Sequence, residues 1–166
     1  MSQFGSELKK SILISIDETA TEIKDLQEFI TERKACPTIE KVAKFFPNAK
    51  PEWVEILYEE FGIKGEKLWD YEIRNAEFQA KLLSIEKLMM TACLNVSKVE
   101  VYPKYMAKWD ETMLSYQEMV EEGVRSECFL ESCYLEQCKD SLHTRENVLG
   151  LCDVGNKLAT GVWKFE

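Results

Sequence analysis

Glycine and proline are scarce here, at 7 and 4 of 166 positions. A fold rich in sheets and tight turns uses more of both, so the composition points to an all-α chain. Histidine occurs once, at His143. That excludes the paired Glu-x2-His ligands of a di-iron bundle and a haem pocket built on two histidines. Basic residues are in deficit: 21 Lys plus Arg face 30 Asp plus Glu, for a net charge of −9. A field of that sign repels phosphate, and no basic stripe offers to release counterions from a nucleic acid. No apolar run approaches the roughly 18 residues of a bilayer-crossing helix, so no membrane span is expected.

Short chemical signatures are missing as well. The chain has no Gly-x-Gly-x-x-Gly, Gly-x4-Gly-Lys or Gly-x-Ser-x-Gly, and no Asp-rich loop closing on Glu. Dinucleotide, nucleotide-phosphate, serine-hydrolase and calcium motifs are thereby set aside. The apolar stretch Ile12–Ile16 is too short for a secretory leader and runs at once into Asp17 and Glu18. The expected compartment is the cytoplasm or the mitochondrial intermembrane space, or the exterior for a chain whose leader has been removed.

What is present is apolar and periodic. Apolar residues make up 45% and aromatics 11% of the chain, enough for a real core despite the charge. The length suits a single helical domain over 1–166, with a flexible start at 1–5 and an aromatic tail at 161–166. Ile12, Ile16, Thr19, Ile23, Leu26 and Ile30 recur at helical spacing and predict a helix over 6–34, stopped by Pro37. Segments 38–46 and 51–61 read as a short two-helix corner, the second opened by Pro51, closed by Gly62 and lined by Trp53, Ile56, Leu57 and Phe61. Tyr71, Asn75, Phe78, Leu82, Ile85, Met89, Ala92 and Val96 predict a long helix over 66–99. Leu68, Trp69, Leu83, Leu88 and Met90 widen its apolar face toward more than one neighbour. Pro103 opens a third long helix, 103–141, with Gly123 as a kink or close contact, and a turn at 142–144 leads into a last helix over 145–160. The expected architecture is an elongated antiparallel helical bundle of three long helices with a corner and a C-terminal helix.

Six cysteines (Cys36, Cys93, Cys128, Cys133, Cys138 and Cys152) permit three disulfides. Cys128, Cys133 and Cys138 sit five residues apart on one helix. Five residues turn it by about 500°, so the middle thiol faces away from the others and the three cannot share one zinc. No metal site and no cofactor is expected. A turn at 142–144 would set Cys138 against residues 149–152, which favours a Cys138–Cys152 bridge. The spacing from Cys128 to Cys138 is Cys-x9-Cys, which resembles one half of the twin motif of small helical-hairpin proteins of the intermembrane space. The second half is absent, because thirteen residues separate Cys138 from Cys152.

His143 follows Asp140 at a spacing that suits one helix face, yet it falls at an expected helix end, where a capping or surface histidine is the simpler reading. Its nearest thiol in sequence, Cys138, is turned away, so cysteine–histidine catalysis is not expected. Asn95-Val96-Ser97 is a glycosylation sequon, but on a predicted helix.

From Asp110 to Asp140 nine carboxylates face only Arg125 and Lys139. Glu118, Glu121, Glu122 and Glu131, together with Trp163 and Phe165 of the tail, are the candidate partner-binding residues. Trp53, Trp69, Trp109 and Trp163, with Met89, Met90, Met106, Met113 and Met119, form either core or the lining of an apolar-ligand cavity. The expectation is a non-enzymatic structural or adaptor subunit that binds a protein partner of basic character within a larger assembly. The alternative is a disulfide-stapled secreted or intermembrane-space protein that carries a small apolar ligand or acts on a receptor.

Overall fold

In the computed structural model the described residues are 2–35, 47–48, 50–126 and 131–166, without the side chains of 2, 54, 55, 57–69 and 131–144. Four helices account for nearly all of them: α1 (Ser2–Ala35), α2 (Val54–Leu94), α3 (Val101–Arg125) and α4 (Glu131–Ala159). A 3-10 turn over Pro51–Trp53 leads into α2, and no strand occurs among the described residues. Among the described residues the regular structure is all helical, as the composition implies. The expected helix at 38–46 lies outside the described residues.

Helix α1 buries the ladder its sequence announces. Ile12 and Thr19 are buried, Ile16, Ile23, Leu26 and Ile30 half-buried, and Asp17, Glu18, Glu22 and Asp25 exposed. It starts at Ser2, earlier than the 6 its periodicity indicates. The reason is tertiary: the carboxyl-terminal tail lies on Gly5, where a Cβ would overlap the backbone of Lys164 and Phe165.

Helix α2 spans 41 residues, about 60 Å at about 1.5 Å per residue. It runs straight through Gly62 and Gly65, so the stop expected at Gly62 and the separate corner helix 51–61 are corrected. Each interior glycine costs only about 1 kcal/mol, whereas every residue added to a growing helix contributes a hydrogen bond. Trp53 and Ile56 are exposed rather than lining a buried side, while the side chains of Leu57 and Phe61 lie outside the described residues. At its far end α2 stops at Leu94, short of the expected 99. The Val96 amide donates to the Cys93 carbonyl at 3.1 Å and the Ser97 amide to the Ala92 carbonyl at 3.0 Å, with Val96 at φ +49°. This is the Schellman closure of a helix, with valine in the left-handed position that glycine normally takes.

The helix expected over 103–141 is two helices. α3 ends at Arg125, two residues past the buried Gly123, and α4 begins at Glu131. The turn expected at 142–144 is interior to α4 instead. Leu142, His143 and Thr144 include neither glycine nor proline, so nothing local breaks the helix there. Pro103 lies in the first turn of α3, where a missing amide hydrogen leaves no helical bond unmade.

α2 is the spine. α1 packs along it, and α3 and α4 pack on it and on each other. Ile12 clusters with Met90, while Arg33 pairs with Glu72, so α1 and α2 run in opposite directions. One core gathers Tyr71, Ile85, Met89, Trp109, Met113, Tyr116, Met119, Val120 and Val148; a second gathers Ile12, Met90, Ala92, Cys93, Tyr102 and Leu158. The burial of Met90 and Cys93 beside Met89 and Ile85 bears out the expectation that this helix touches neighbours on more than one side. Trp109, Met89, Met90, Met113 and Met119 are core residues, with Met106 packed against them.

Candidate functional site

Three features of the described surface and interior carry chemistry. The first is the solvent ridge of α3. Trp109, Tyr116 and Val120 face inward at helical spacing, which turns Glu111, Leu114, Glu118, Glu121 and Glu122 outward, all of them exposed. Leu114 is 61% exposed, and its neighbours one turn away on either side are Glu111 and Glu118. Asp110, part of the same acidic stretch, is engaged elsewhere: its two carboxylate oxygens accept from Arg145 of α4 at 3.1 and 3.5 Å. The candidate residues Glu118, Glu121 and Glu122 therefore share one ridge, while the side chain of Glu131 lies outside the described residues.

Trp163 and Phe165 do not join that ridge. Their tail folds back on the second core, where the Trp163 amide donates to the Lys157 carbonyl at 3.0 Å. The indole meets Phe4 edge-to-face with ring centroids 5.1 Å apart, and the Lys157 ammonium lies 4.4 Å over it. Tyr102 packs at this end of the molecule, and Glu118 is sixteen residues further along α3, about 24 Å away by helical rise.

The second feature is a groove of ≈ 380 Å³ between α2 and α3, lined among others by Phe78, Ile85, Leu88, Lys81, Lys108 and Glu111. Leu88 is 47% exposed along it. Ser84 and Thr112 also line it, but their hydroxyls donate to backbone carbonyls of their own helices, Ala80 and Lys108. Two ammonium groups outnumber the single Glu111 carboxylate around this apolar floor, which suits an apolar molecule with an acidic head.

The third feature is a cluster of thiols and a phenol where α2, α3 and α4 meet. The wholly buried Cys93 thiol donates to the Leu151 carbonyl at 3.6 Å, next to Cys152 in the chain. The Tyr102 hydroxyl makes no well-oriented hydrogen bond and rests beside the Cys93 thiol. Burial pushes both thiols above their ordinary range, Cys93 further through its neighbour Cys152 and against the opposing pull of Tyr102. The phenol is pushed up too, by burial first and then by the nearby thiols. Thiols held protonated this way are poor nucleophiles and poor metal ligands at neutral pH. Among the described residues no group of three or more His, Cys, Asp or Glu is placed to hold a metal.

The expected Cys138–Cys152 pairing rested on a turn at 142–144. With that segment inside α4, the two cysteines stand fourteen positions apart on one helix, about 21 Å. The side chains of Cys133, Cys138, Asp140 and His143 lie outside the described residues, as do Cys36 and Cys128 altogether.

Comparison with protein-family models, with curated proteins and with solved structures finds no match. Among the described residues no helix is long and apolar enough to cross a membrane.

Sequence spacing missed the meeting of Cys93, Tyr102 and Cys152, because they stand on three helices and no local period links them. It missed the groove lysines for the same reason. The only hint was that Cys93 continues the apolar face of Met89 and Met90.

Proposed function

We propose that this chain is a non-enzymatic helical subunit, a single elongated bundle domain that docks a basic protein partner on the acidic ridge of α3. The exposure of Leu114 within a row of glutamates is the observation that carries the reading. Exposed leucines scattered singly are ordinary, but one set among carboxylates on a helix face offers an apolar anchor with an acidic surround. A partner helix with an apolar stripe bordered by Lys or Arg has the matching chemistry. The carboxylates would orient it and speed its encounter, with apolar contact supplying most of the affinity.

Affinity capture from native extract with wild type, Leu114→Ser, Glu118→Lys/Glu122→Lys and an α1 control, Asp25→Lys, tests this. A partner retained by wild type and the control but lost by both ridge variants supports the reading. A monodisperse monomer that retains the same proteins in all four forms overturns it.

The groove beside Leu88 favours a second reading, a carrier of a small apolar ligand with an acidic head. Native mass spectrometry of the purified chain, with Lys81→Glu/Lys108→Glu for comparison, separates the two by the presence or loss of a bound small molecule.

A further inference from the structure

We propose that Cys93 and Cys152 are a disulfide-forming pair that links the last turn of α2 to α4. The inference is independent of the partner-docking reading. The Cys93 thiol reaches the carbonyl of Leu151, whose carbon is bonded to the amide of Cys152, so Cys93 lies beside the Cys152 backbone across the packed α2–α4 contact. Cys152 is near enough to the Cys93 thiol to help raise its pKa. Both belong to the side-chain packing of the second core, and α4 reaches this close because Gly155, one turn on, leaves its space to the Tyr102 ring. Disulfides need their Cα atoms within about 7 Å, a condition that facing residues on closely packed helices can meet and residues fourteen apart on one helix cannot.

A low-molecular-weight disulfide, oxidised glutathione, supplies the oxidising equivalents. The more exposed Cys152 attacks as thiolate and releases one glutathione, leaving a mixed disulfide. The Cys93 thiolate then displaces the second glutathione. One sulfur–sulfur bond forms in the protein for the one broken in the oxidant, and the two thiol protons pass to the two released glutathiones. Because burial keeps both thiols protonated, the exchange in the folded chain is slow at neutral pH and accelerates as pH rises.

The full chain, incubated with oxidised glutathione and mapped with trypsin without reduction, gives a direct readout. Cleavage after Lys87, Lys98, Arg145 and Lys157 isolates Cys93 and Cys152 in separate peptides with no other cysteine. The expected product joins those two peptides with the loss of two hydrogens, and it persists in Cys138→Ser. Its unfolding midpoint lies roughly 10 °C above that of the reduced chain, as a loop of this length implies. Three results overturn the proposal: Cys93 alkylated after unfolding while other cysteines are oxidised, Cys152 joined to a different cysteine, or Cys152 arrested as a glutathione adduct. The wild-type peptide map decides this without depending on whether any variant folds.

Discussion

The ring of Tyr102 on α3 fills the space that a side chain at Gly155 on α4 would need: a Cβ there would overlap the phenol carbons and oxygen. Tyr102 is 1% exposed, so the ring has nowhere to retreat. The contact sets how closely α3 and α4 approach at the end of the molecule that also holds Cys93 and the tail.

Gly155→Ala sets two effects against each other. Alanine favours the helix by about 1 kcal/mol over glycine, while forcing a methyl into a filled core costs about 1–3 kcal/mol. The overlap with a buried aromatic ring places this site at the upper end, so a net loss of about 1–2 kcal/mol is expected in urea unfolding. Gly150 on the same helix is the control, because a Cβ there meets nothing. Gly150→Ala should gain up to about 1 kcal/mol. Equal effects at the two positions would contradict this packing.

Val96 holds φ +49° with its side chain 47% exposed. A β-branched residue in that region carries strain of about 1–2 kcal/mol, and glycine carries none. Glycine also loosens the unfolded chain, which offsets about 0.4–1 kcal/mol of the gain. Val96→Gly is therefore expected to stabilise the protein by about 0.5–1 kcal/mol, raising the thermal midpoint by roughly 2–3 °C. A decrease would show that the turn closing α2 is not left-handed at this residue.

Glu86, half-buried where α2 meets α1, has its carboxyl raised above the ordinary range, chiefly by burial and secondarily by Glu22 across the interface. A folded-state value above the unfolded one means that the folded protein holds the proton more tightly. That contribution is complete below the unfolded pKa and lost as pH rises through the folded value. Glu86→Gln is expected to unfold at a higher temperature than wild type at pH 7, with the difference vanishing below about pH 4. Glu22→Gln should give a smaller change of the same sign. A difference that grows on acidification would reverse the assignment.

The docked tail separates stability from recognition. Trp163 meets Phe4 and lies beneath the Lys157 ammonium, contacts that contribute about 0.5–1.5 and 0.5–1 kcal/mol. Trp163→Ala should cost about 1–2 kcal/mol and strip hydrogen-exchange protection from the first turns of α1. Glu118→Lys, on the exposed ridge, should leave unfolding within about 0.5 kcal/mol of wild type. If Trp163→Ala leaves both unfolding and exchange untouched, the tail is free in solution.

Helical character and the inward-facing positions of these helices are legible in the order of the amino acids alone. Ile12 and Thr19 on α1, Tyr71, Ile85 and Met89 on α2, and Trp109, Tyr116 and Val120 on α3 are all buried where their spacing put them. Periodicity is a local property, and a helix face is legible from one strand of text. Helix ends proved less so: Gly62 did not stop α2, Val96 accepted a left-handed conformation, and the expected turn at 142–144 is helix, because termini answer to a balance of small local costs against packing. What lies opposite what was decided only in three dimensions. Packing set Cys93 beside Leu151, folded Trp163 onto Phe4 and left Lys81 and Lys108 along one groove, since each contact joins helices whose mutual register no single segment encodes.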